Sequence, residues 1–261
     1  MLRTHARISW RTVPLFGILL AGSAATAGPL HDAVRMGDRA AVSEAVANTD
    51  DLDETDFIIG TPLHAAVAEG HADIARLLIE TGADVNAVSE INGKTALHLA
   101  AELGDFDTVR LLLENEADVA ARDKTGLAAI HHATVAGHPA IVTALLNAGV
   151  EVDTREFAEN MTPLMIASLV GDHELVELLV DGGADIEAES GNGRTPFYYA
   201  ASWESYINVG GDALLRYLAN LGVDMSPEDE SGLTPLTWAM ARNMPTYREI
   251  VEVLIDLGVE R

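Results

Sequence analysis

Thr61-Pro62-Leu63-His64-Ala65-Ala66 is a hexapeptide that returns along this chain at nearly fixed spacing. Related hexapeptides begin at Thr95, Ala128, Thr162, Thr195 and Thr234, and a degenerate copy begins at Gly28. Successive copies start 33 or 34 residues apart, except for a last step of 39 residues. A fixed period of this length is typical of chains in which one small unit stacks on the next, so it predicts a repeat solenoid.

The residues around each hexapeptide predict two helices per unit. In the second unit, Thr61 stands at the N-cap of the first helix, and Pro62 takes the first helical position, where its missing N–H costs nothing. Gly70 and Gly82 stand where the two helices end, because glycine readily adopts the left-handed conformation found there. Apolar residues at 74, 77 and 78 form one stripe along the second helix. We therefore expect a helix, a turn, a second helix and a projecting β-turn finger in each unit.

Three departures from the pattern carry predictions of their own. Glu116 occupies a second-helix glycine position, where a glutamate in the left-handed conformation should cost about 1 kcal/mol. Asn160 replaces a finger glycine, and asparagine tolerates the same geometry. The first unit has Thr49 in place of a helix-ending glycine and weakly apolar residues, Ala41 and Ala45, in its second helix, so it is expected to form a polar-faced cap.

The hexapeptide, in the form Thr-Pro-Leu-His-x-Ala at a period near 33 residues, resembles the ankyrin repeat. The resemblance extends from Gly28 to Arg261 and implies an all-α repeat solenoid of about seven stacked units. Their expected bounds are 28–58, 59–92, 93–125, 126–159, 160–192, 193–231 and 232–261, with the first and last units acting as caps. In that family the motif threonine and histidine are structural, and the matching residues here are Thr61, His64, Thr95, His98, His131, Thr162, Thr195 and Thr234.

Residues 1–27 have the layout of a cleaved secretory signal peptide. Three arginines precede an apolar run at 13–21, and Ala25-Thr26-Ala27 fits the small-residue cleavage rule. A membrane anchor is the alternative, but the run is shorter than the about 20 residues that span a bilayer. We therefore expect a periplasmic or secreted protein that begins at Gly28 and does not insert in a membrane, similar to exported bacterial ankyrin-repeat proteins.

The charge balance narrows the class of partner. The chain has 41 acidic residues and 16 lysines and arginines, and cleavage would remove three arginines and no acid, leaving a net charge of 13 − 41 = −28. Such a surface repels phosphate backbones and anionic lipids, so neither nucleic acid nor a membrane is an expected partner. The chain has no cysteine, so its stability depends on packing without disulfides.

Two groups of residues could carry ion-binding or catalytic chemistry. His131, His132 and His138 form a local cluster, but their spacing does not match a zinc motif. The acidic run at 50–56 resembles a calcium loop without its central glycine and terminal glutamate, and we expect a solvated finger there, with loose calcium association left open. The sequence therefore predicts no enzyme, no cofactor and no metal site, with an ion-binding or enzymatic protein as the alternative.

The ankyrin resemblance implies that a protein partner binds the concave face made by the first helices and the fingers. The seventh and eighth residues after each motif threonine should line this groove, and those at its centre are apolar. The candidate partner-binding residues are Leu103, Val135, Leu169, Val170, Trp203, Tyr206, Glu69, Glu102 and Arg242. The alternative is that the apolar residues pack against neighbouring second helices.

The aromatic candidates and the finger charges complete the sequence-based prediction. Trp203 and Tyr206 lie in or beside a six-residue insertion, which suits a binding hot spot. The fingers are expected to be acidic, at Glu90, Glu159, Glu189 and residues 228–230. We therefore predict that a monomer binds a protein with basic groups around an apolar centre, or alternatively regulates or inhibits an exported enzyme.

Overall fold

The computed structural model describes residues 28–56, 59–201, 211–241 and 245–259, which contain helices and turns but no strand. Fourteen helices in these residues form seven consecutive pairs. The first helices of the pairs are α1 (Pro29–Arg35), α3 (Pro62–Ala68), α5 (Ala96–Leu103), α7 (Ala129–Ala136), α9 (Pro163–Val170), α11 (Pro196–Ala200) and α13 (Pro235–Ala241). The second helices are α2 (Arg39–Ala47), α4 (Ala72–Glu80), α6 (Phe106–Glu114), α8 (Pro139–Asn147), α10 (His173–Asp181), α12 (Gly211–Asn220) and α14 (Pro245–Asp256).

The pairs stack in chain order. From α1 to α11, each first helix contacts the first helix of the next pair, and second helices contact second helices in the same way. One apolar core runs through the stack from Leu30 to Val259, built from the motif leucines and the second-helix stripes. Each fully buried leucine contributes about 1.5–3 kcal/mol by leaving water. The predicted all-α repeat solenoid is confirmed.

Helix ends follow the glycine pattern, including its two exceptions. Gly104 ends α5 with φ 78°, a conformation that favours glycine, and a Cβ at this position would lie 2.6 Å from the His138 ring, which would have to move. Glu116 and Asn160 have positive φ values of 63° and 57°, as predicted. The backbone of these two residues is therefore held left-handed by the packed units around them.

The fingers form a continuous hydrogen-bonded row. Each described finger is closed at its base by a backbone bond, such as Ser89 N–H to Lys94 O at 2.8 Å. From the finger at 89–94 onward, successive fingers are joined by one backbone bond each, at 2.6–3.1 Å: Lys124 N–H to Asn92 O, Phe157 N–H to Thr125 O, Gly191 N–H to Glu159 O, and Glu230 N–H to Asn192 O. The fingers thus support one another along the stack.

The acidic run at 50–56 differs from the expected solvated finger. Asp56 is only 8% exposed, forms an ion pair with Arg35, and accepts the N–H groups of Ile59 and Gly60 at 2.6 and 3.0 Å. Asp53 accepts the Asp84 N–H at 3.0 Å, and burial raises its pKa. The expectation was wrong for these two residues, because their carboxylates satisfy backbone donors of the fold.

Candidate functional site

The last turns of α5, α7 and α9, together with the fingers, form the surface that we call the first-helix face. Leu103 is 38% exposed there, and Val135, Leu169 and Val170 are half-buried. The last three pack on a second apolar cluster, distinct from the main core, made of Met161, Met165, Ile166, Ala188 and Tyr199. The predicted apolar residues are therefore partly packed, on residues of first helices and fingers rather than on the second helices that the alternative named, and they still present apolar surface.

Met165 explains why this second cluster exists. In the fifth unit it stands at the motif histidine position, is fully buried, and accepts the Thr162 N–H on its sulfur at 3.5 Å. A thioether has no N–H to donate to the next finger. Met165 instead packs in one apolar cluster with Ile166 of its own helix and Ala188 of that finger.

The charged groups of this face are only partly available to a partner. Glu69 is exposed, whereas Glu102 forms an ion pair with Lys94. The acidic residues Glu90, Glu159, Glu189, Glu228 and Glu230 are exposed on the fingers. Asp229 was also expected on the acidic surface, but it is only 6% exposed and accepts hydrogen bonds from Arg194 and Tyr198.

Finger cations hold neighbouring fingers together. Arg122 donates to the Arg155 carbonyl and to the Thr154 hydroxyl, and Arg155 donates to the Glu189 carbonyl at 2.7 Å. Lys124 donates to the Glu90 carbonyl on the preceding finger. These positive side chains are therefore committed to the fold, and the acidic side chains remain at the surface.

A buried polar residue at the base of each described finger was missed by the sequence analysis. Asp123 shows the role: its Oδ1 accepts the N–H groups of Thr125 and Leu127 at 2.8 and 3.1 Å. The signal was present in the sequence, because a short polar or acidic residue stands five or six positions before every hexapeptide from Thr61 onward. The set is Asp56, Ser89, Asp123, Glu156, Ser190 and Asp229, all buried.

The motif histidines are neutral connectors between units. His98 Nδ1 accepts the Thr95 N–H at 3.1 Å, so the ring proton lies on Nε2, which donates to the Leu127 carbonyl at 3.1 Å. His64 bonds Thr61 and the Lys94 carbonyl in the same way, and His131 bonds the Thr154 carbonyl at 3.0 Å. Burial lowers the pKa of both His98 and His131 to about 4.

The remaining motif threonines cap their helices. The hydroxyls of Thr162, Thr195 and Thr234 each accept the N–H of the residue three positions later, at 3.2–3.4 Å. In the sixth unit that later residue is Tyr198, whose hydroxyl donates to Asp229 at 3.0 Å. A tyrosine thus makes the link to the following finger that histidine makes in the earlier units.

The clustered histidines have separate partners. His131 bonds Thr154, His138 lies against Gly104, and His132 Nε2 lies 2.9 Å from Asp123 Oδ2. Burial raises the pKa of Asp123, but hydrogen bonds from His132 and Thr125 outweigh it and hold that pKa well below its usual range. Across the described part of the chain, no group of three or more His, Asp or Glu side chains is arranged to hold a metal ion.

An unpredicted cluster joins the last two units. The Arg194 guanidinium lies 4.8 Å from the Tyr198 ring centroid and 5.9 Å from that of Trp238, and it donates to Asp229 at 3.0 Å. Trp238 also packs edge-to-face on Tyr247, with centroids 5.5 Å apart. Cation–π and carboxylate contacts together fix Arg194 on the first-helix face.

Several predicted residues cannot be placed. Trp203, Tyr206 and Arg242, the insertion at 203–210 and the signal segment at 1–27 lie outside the described residues. Their roles therefore stay predictions. Within the described ranges, no helix is both long and apolar enough to cross a bilayer.

Comparison with known proteins identifies the repeats. The family model for ankyrin repeats matches residues 30–123, 85–156, 119–190 and 164–260. The chain is 32% identical over 174 residues to a transient receptor potential cation channel subfamily A member 1 homolog of Caenorhabditis elegans, covering 67% of this chain and 14% of that protein. It is 30% identical over 242 residues to the mouse B-cell lymphoma 3 protein homolog, covering 89% of this chain and 45% of that protein.

A solved structure shows the same architecture. The ankyrin repeat domain of Bcl-3, a member of the IkappaB protein family, superimposes with a TM-score of 0.72 at 29% identity, covering 87% of this chain and 98% of that one. This chain spans less than half the length of the two curated relatives. The similarity therefore concerns only a part of each of those two proteins.

Proposed function

The chain belongs to the ankyrin-repeat family, and we propose that it is an exported, non-enzymatic protein that binds a protein partner on its first-helix face and fingers. Repeats of this family generally mediate protein–protein interaction. The proposal adds three points to that general role: the surface used, the chemistry of the partner, and the compartment. The protein acts as a monomer in this proposal.

The observation that carries the choice of surface is the apolar strip formed by Val135, Leu169 and Val170. Its three side chains are half-buried against the second apolar cluster rather than against the main core. Cluster packing fixes these side chains in place, so a partner that covers them gains apolar burial at little cost in side-chain entropy. Leu103 extends the same surface toward the N-terminal units.

The charge distribution supports a basic partner. Acidic side chains project from the fingers beside the strip, whereas the finger cations Arg122, Lys124 and Arg155 bond neighbouring fingers. A partner with lysines or arginines around an apolar centre would match this arrangement and would be attracted from a distance.

The proposed export rests on residues 1–27, whose basic start, short apolar run and small-residue cleavage site are those of a signal peptide. Cell fractionation and N-terminal sequencing test it. The exported protein should begin at Gly28, and a protein that still carries Trp10 would contradict cleavage.

The binding surface can be tested by affinity capture from a periplasmic extract followed by mass spectrometry. The wild-type chain should enrich one protein that the double variant Leu169→Asp/Val170→Asp does not retain. Ile255→Asp is the matched control, because Ile255 is 41% exposed near the end of α14 in the last unit, whereas the strip lies in the fourth and fifth units. Equal capture by the wild type and the double variant would exclude the strip as the binding surface.

Trp203→Ala tests the aromatic hot spot in the same assay. Loss of an aromatic anchor typically costs about 2 kcal/mol, which is roughly a thirtyfold loss of affinity. We expect weaker capture with a nearly unchanged melting temperature. A large fall in melting temperature with unchanged binding per folded molecule would assign Trp203 to packing.

A further inference from the structure

The first unit contains an open cleft of about 370 Å³ between α1, α2 and the turn that follows them. Leu30 and Ala33 of α1 and Ala41 and Ala45 of α2 form its apolar walls. Leu30 and Ala33 are themselves buried. A cleft of this size lies within the range of about 300–1,000 Å³ that small-molecule sites occupy.

The cleft exists because two core positions of α2 carry alanine. Ala45 is the seventh residue of its helix, and the seventh residue of each of the next four second helices is a fully buried leucine: Leu78, Leu112, Leu145 and Leu179. Ala41 likewise stands where α4 and α8 carry Ile74 and Ile141. The first unit thus lacks the aliphatic side chains that fill the same space elsewhere in the stack.

The rim of the cleft is acidic. Glu44, Asp51 and Glu54 line it, and all three are exposed at its mouth. No lysine or arginine is among the residues that line it. The imidazole of His31, which also lines it, is engaged at Nε2 with the Gly60 carbonyl at 2.9 Å. In the exported form that begins at Gly28, the α-ammonium of Gly28 also lines the cleft, near Glu54. Three carboxylates against this one cation leave the rim net negative, so it still favours a positive group.

Apolar walls beneath a ring of carboxylates suit one kind of ligand. An aliphatic chain gains by leaving water against Leu30 and the three alanines, and a cationic head group gains from the carboxylates at the mouth. A fatty acid of the same length would place its carboxylate among three others, which is unfavourable. The walls alone would accept either molecule, so the rim decides the sign of the ligand charge.

We propose that this first-unit cleft binds a small primary alkylamine, with the alkyl chain between α1 and α2 and the ammonium among Glu44, Asp51 and Glu54. The cleft lies in the first unit, whereas the apolar strip lies in the fourth and fifth. Binding here is therefore independent of the protein partner proposed above.

The test uses calorimetry of the purified chain with n-octylamine and with octanoate at the same ionic strength. Octylamine should bind at least about tenfold more tightly than octanoate, a difference of about 1.4 kcal/mol. In methyl NMR spectra, octylamine should shift the resonances of Ala33, Ala41 and Ala45. The methyl of Ala144 on the distant α8 should stay in place.

Ala45→Leu is the decisive variant, because it places in the cleft the side chain that the following units carry there. It should reduce octylamine affinity about tenfold or more while the melting temperature stays the same or rises. The matched control is Ala136→Leu, an equal enlargement at an exposed position of α7, which should leave binding unchanged.

The rim is tested by Glu44→Gln/Glu54→Gln, which should remove most of the preference for octylamine over octanoate. The control Glu114→Gln/Glu174→Gln removes the same amount of charge from exposed positions elsewhere and should preserve the preference for octylamine. Equal binding of the two probes to the wild type, or octylamine binding that Ala45→Leu leaves intact, would overturn the proposal. The cleft would then be only an under-packed end of the stack.

Discussion

At the scale of single residues, the motif histidines connect one unit to the next. His131 is fully buried, accepts the Ala128 N–H at 3.0 Å and donates to the Thr154 carbonyl at 3.0 Å. Each ring therefore satisfies a donor of its own unit and an acceptor on the following finger. Such a residue stabilises the fold chiefly because its loss leaves buried groups unpaired.

His131→Ala should lower the free energy of unfolding by about 1–3 kcal/mol, because the Ala128 N–H and the Thr154 carbonyl lose their partner. Urea titration followed by circular dichroism measures the loss. His173→Ala is the control: that ring is half-buried and packs on Tyr217, but its described hydrogen bond is to the Glu177 side chain, so its loss leaves no backbone group unpaired. An unchanged midpoint for His131→Ala would contradict the connecting role.

The same histidines predict a pH dependence. For His98 and His131 the pKa in the fold is about 4, against about 6.5 in the unfolded chain, so the unfolded chain binds protons first as the pH falls. The stability that His98 and His131 contribute is therefore complete above pH 6.5 and lost as the pH falls toward 4, by roughly 3 kcal/mol each.

Urea titrations at pH 7, 5.5 and 4.5 measure this dependence. The double variant His98→Gln/His131→Gln should show a shallower fall over the same interval. Comparing the two proteins removes the effect of the many surface carboxylates, which titrate alike in both. Parallel curves for the two proteins would exclude the histidines as the cause.

At the scale of the elements, each helix pair depends on its neighbours for burial. Leu145 of α8 is fully buried in the core shared by successive units, whereas the adjacent Leu146 is only half-buried. A single pair has two faces to cover and cannot cover both alone. Stability is therefore distributed over adjacent units, which the finger row also joins.

Leu145→Ala should cost about 2–5 kcal/mol, as truncations of buried leucine do. Hydrogen exchange should show lost protection in α6 and α10 as well as in α8, because the units unfold together. Leu146→Ala is the adjacent comparison and should cost less. Loss of protection restricted to α8 would show that the units are independent.

At the scale of the whole molecule, acidic and basic side chains differ in number and in role. The acidic residues greatly outnumber the basic ones, and several of the finger cations bond neighbouring fingers. The exposed finger acids therefore dominate the field in front of the first-helix face. Such a field accelerates the encounter with a basic partner over a distance of about 8–10 Å at physiological salt.

Association with the captured partner should slow as salt rises, because added ions screen this attraction. Stopped-flow association rates at 50 and 500 mM salt measure the effect, with dissociation changing less than association. Glu159→Gln/Glu189→Gln should weaken the salt dependence. A rate that is the same at both salt concentrations would remove the electrostatic part of the proposed function.

The sequence by itself determined the period, the helix pairs and the left-handed positions, including Glu116 and Asn160. These features follow from caps, stops and apolar stripes that act within one helix or turn, so they are readable from neighbouring residues. The sequence also marked Val135, Leu169 and Val170 as apolar residues of the first-helix face. It did not show that a separate cluster around Met165 holds them.

The spacing in the sequence marks the finger-base positions, but only the tertiary structure decided which groups their side chains bond. Asp56 and Asp229 read as surface acids, yet each is buried at a finger base and paired with an arginine, 21 and 35 residues earlier respectively. The first-unit cleft likewise depends on how α1 and α2 pack around Ala45. Burial and pairing of this kind depend on which residues of successive units meet across the stack, and that meeting is set by packing over about one repeat rather than by local sequence.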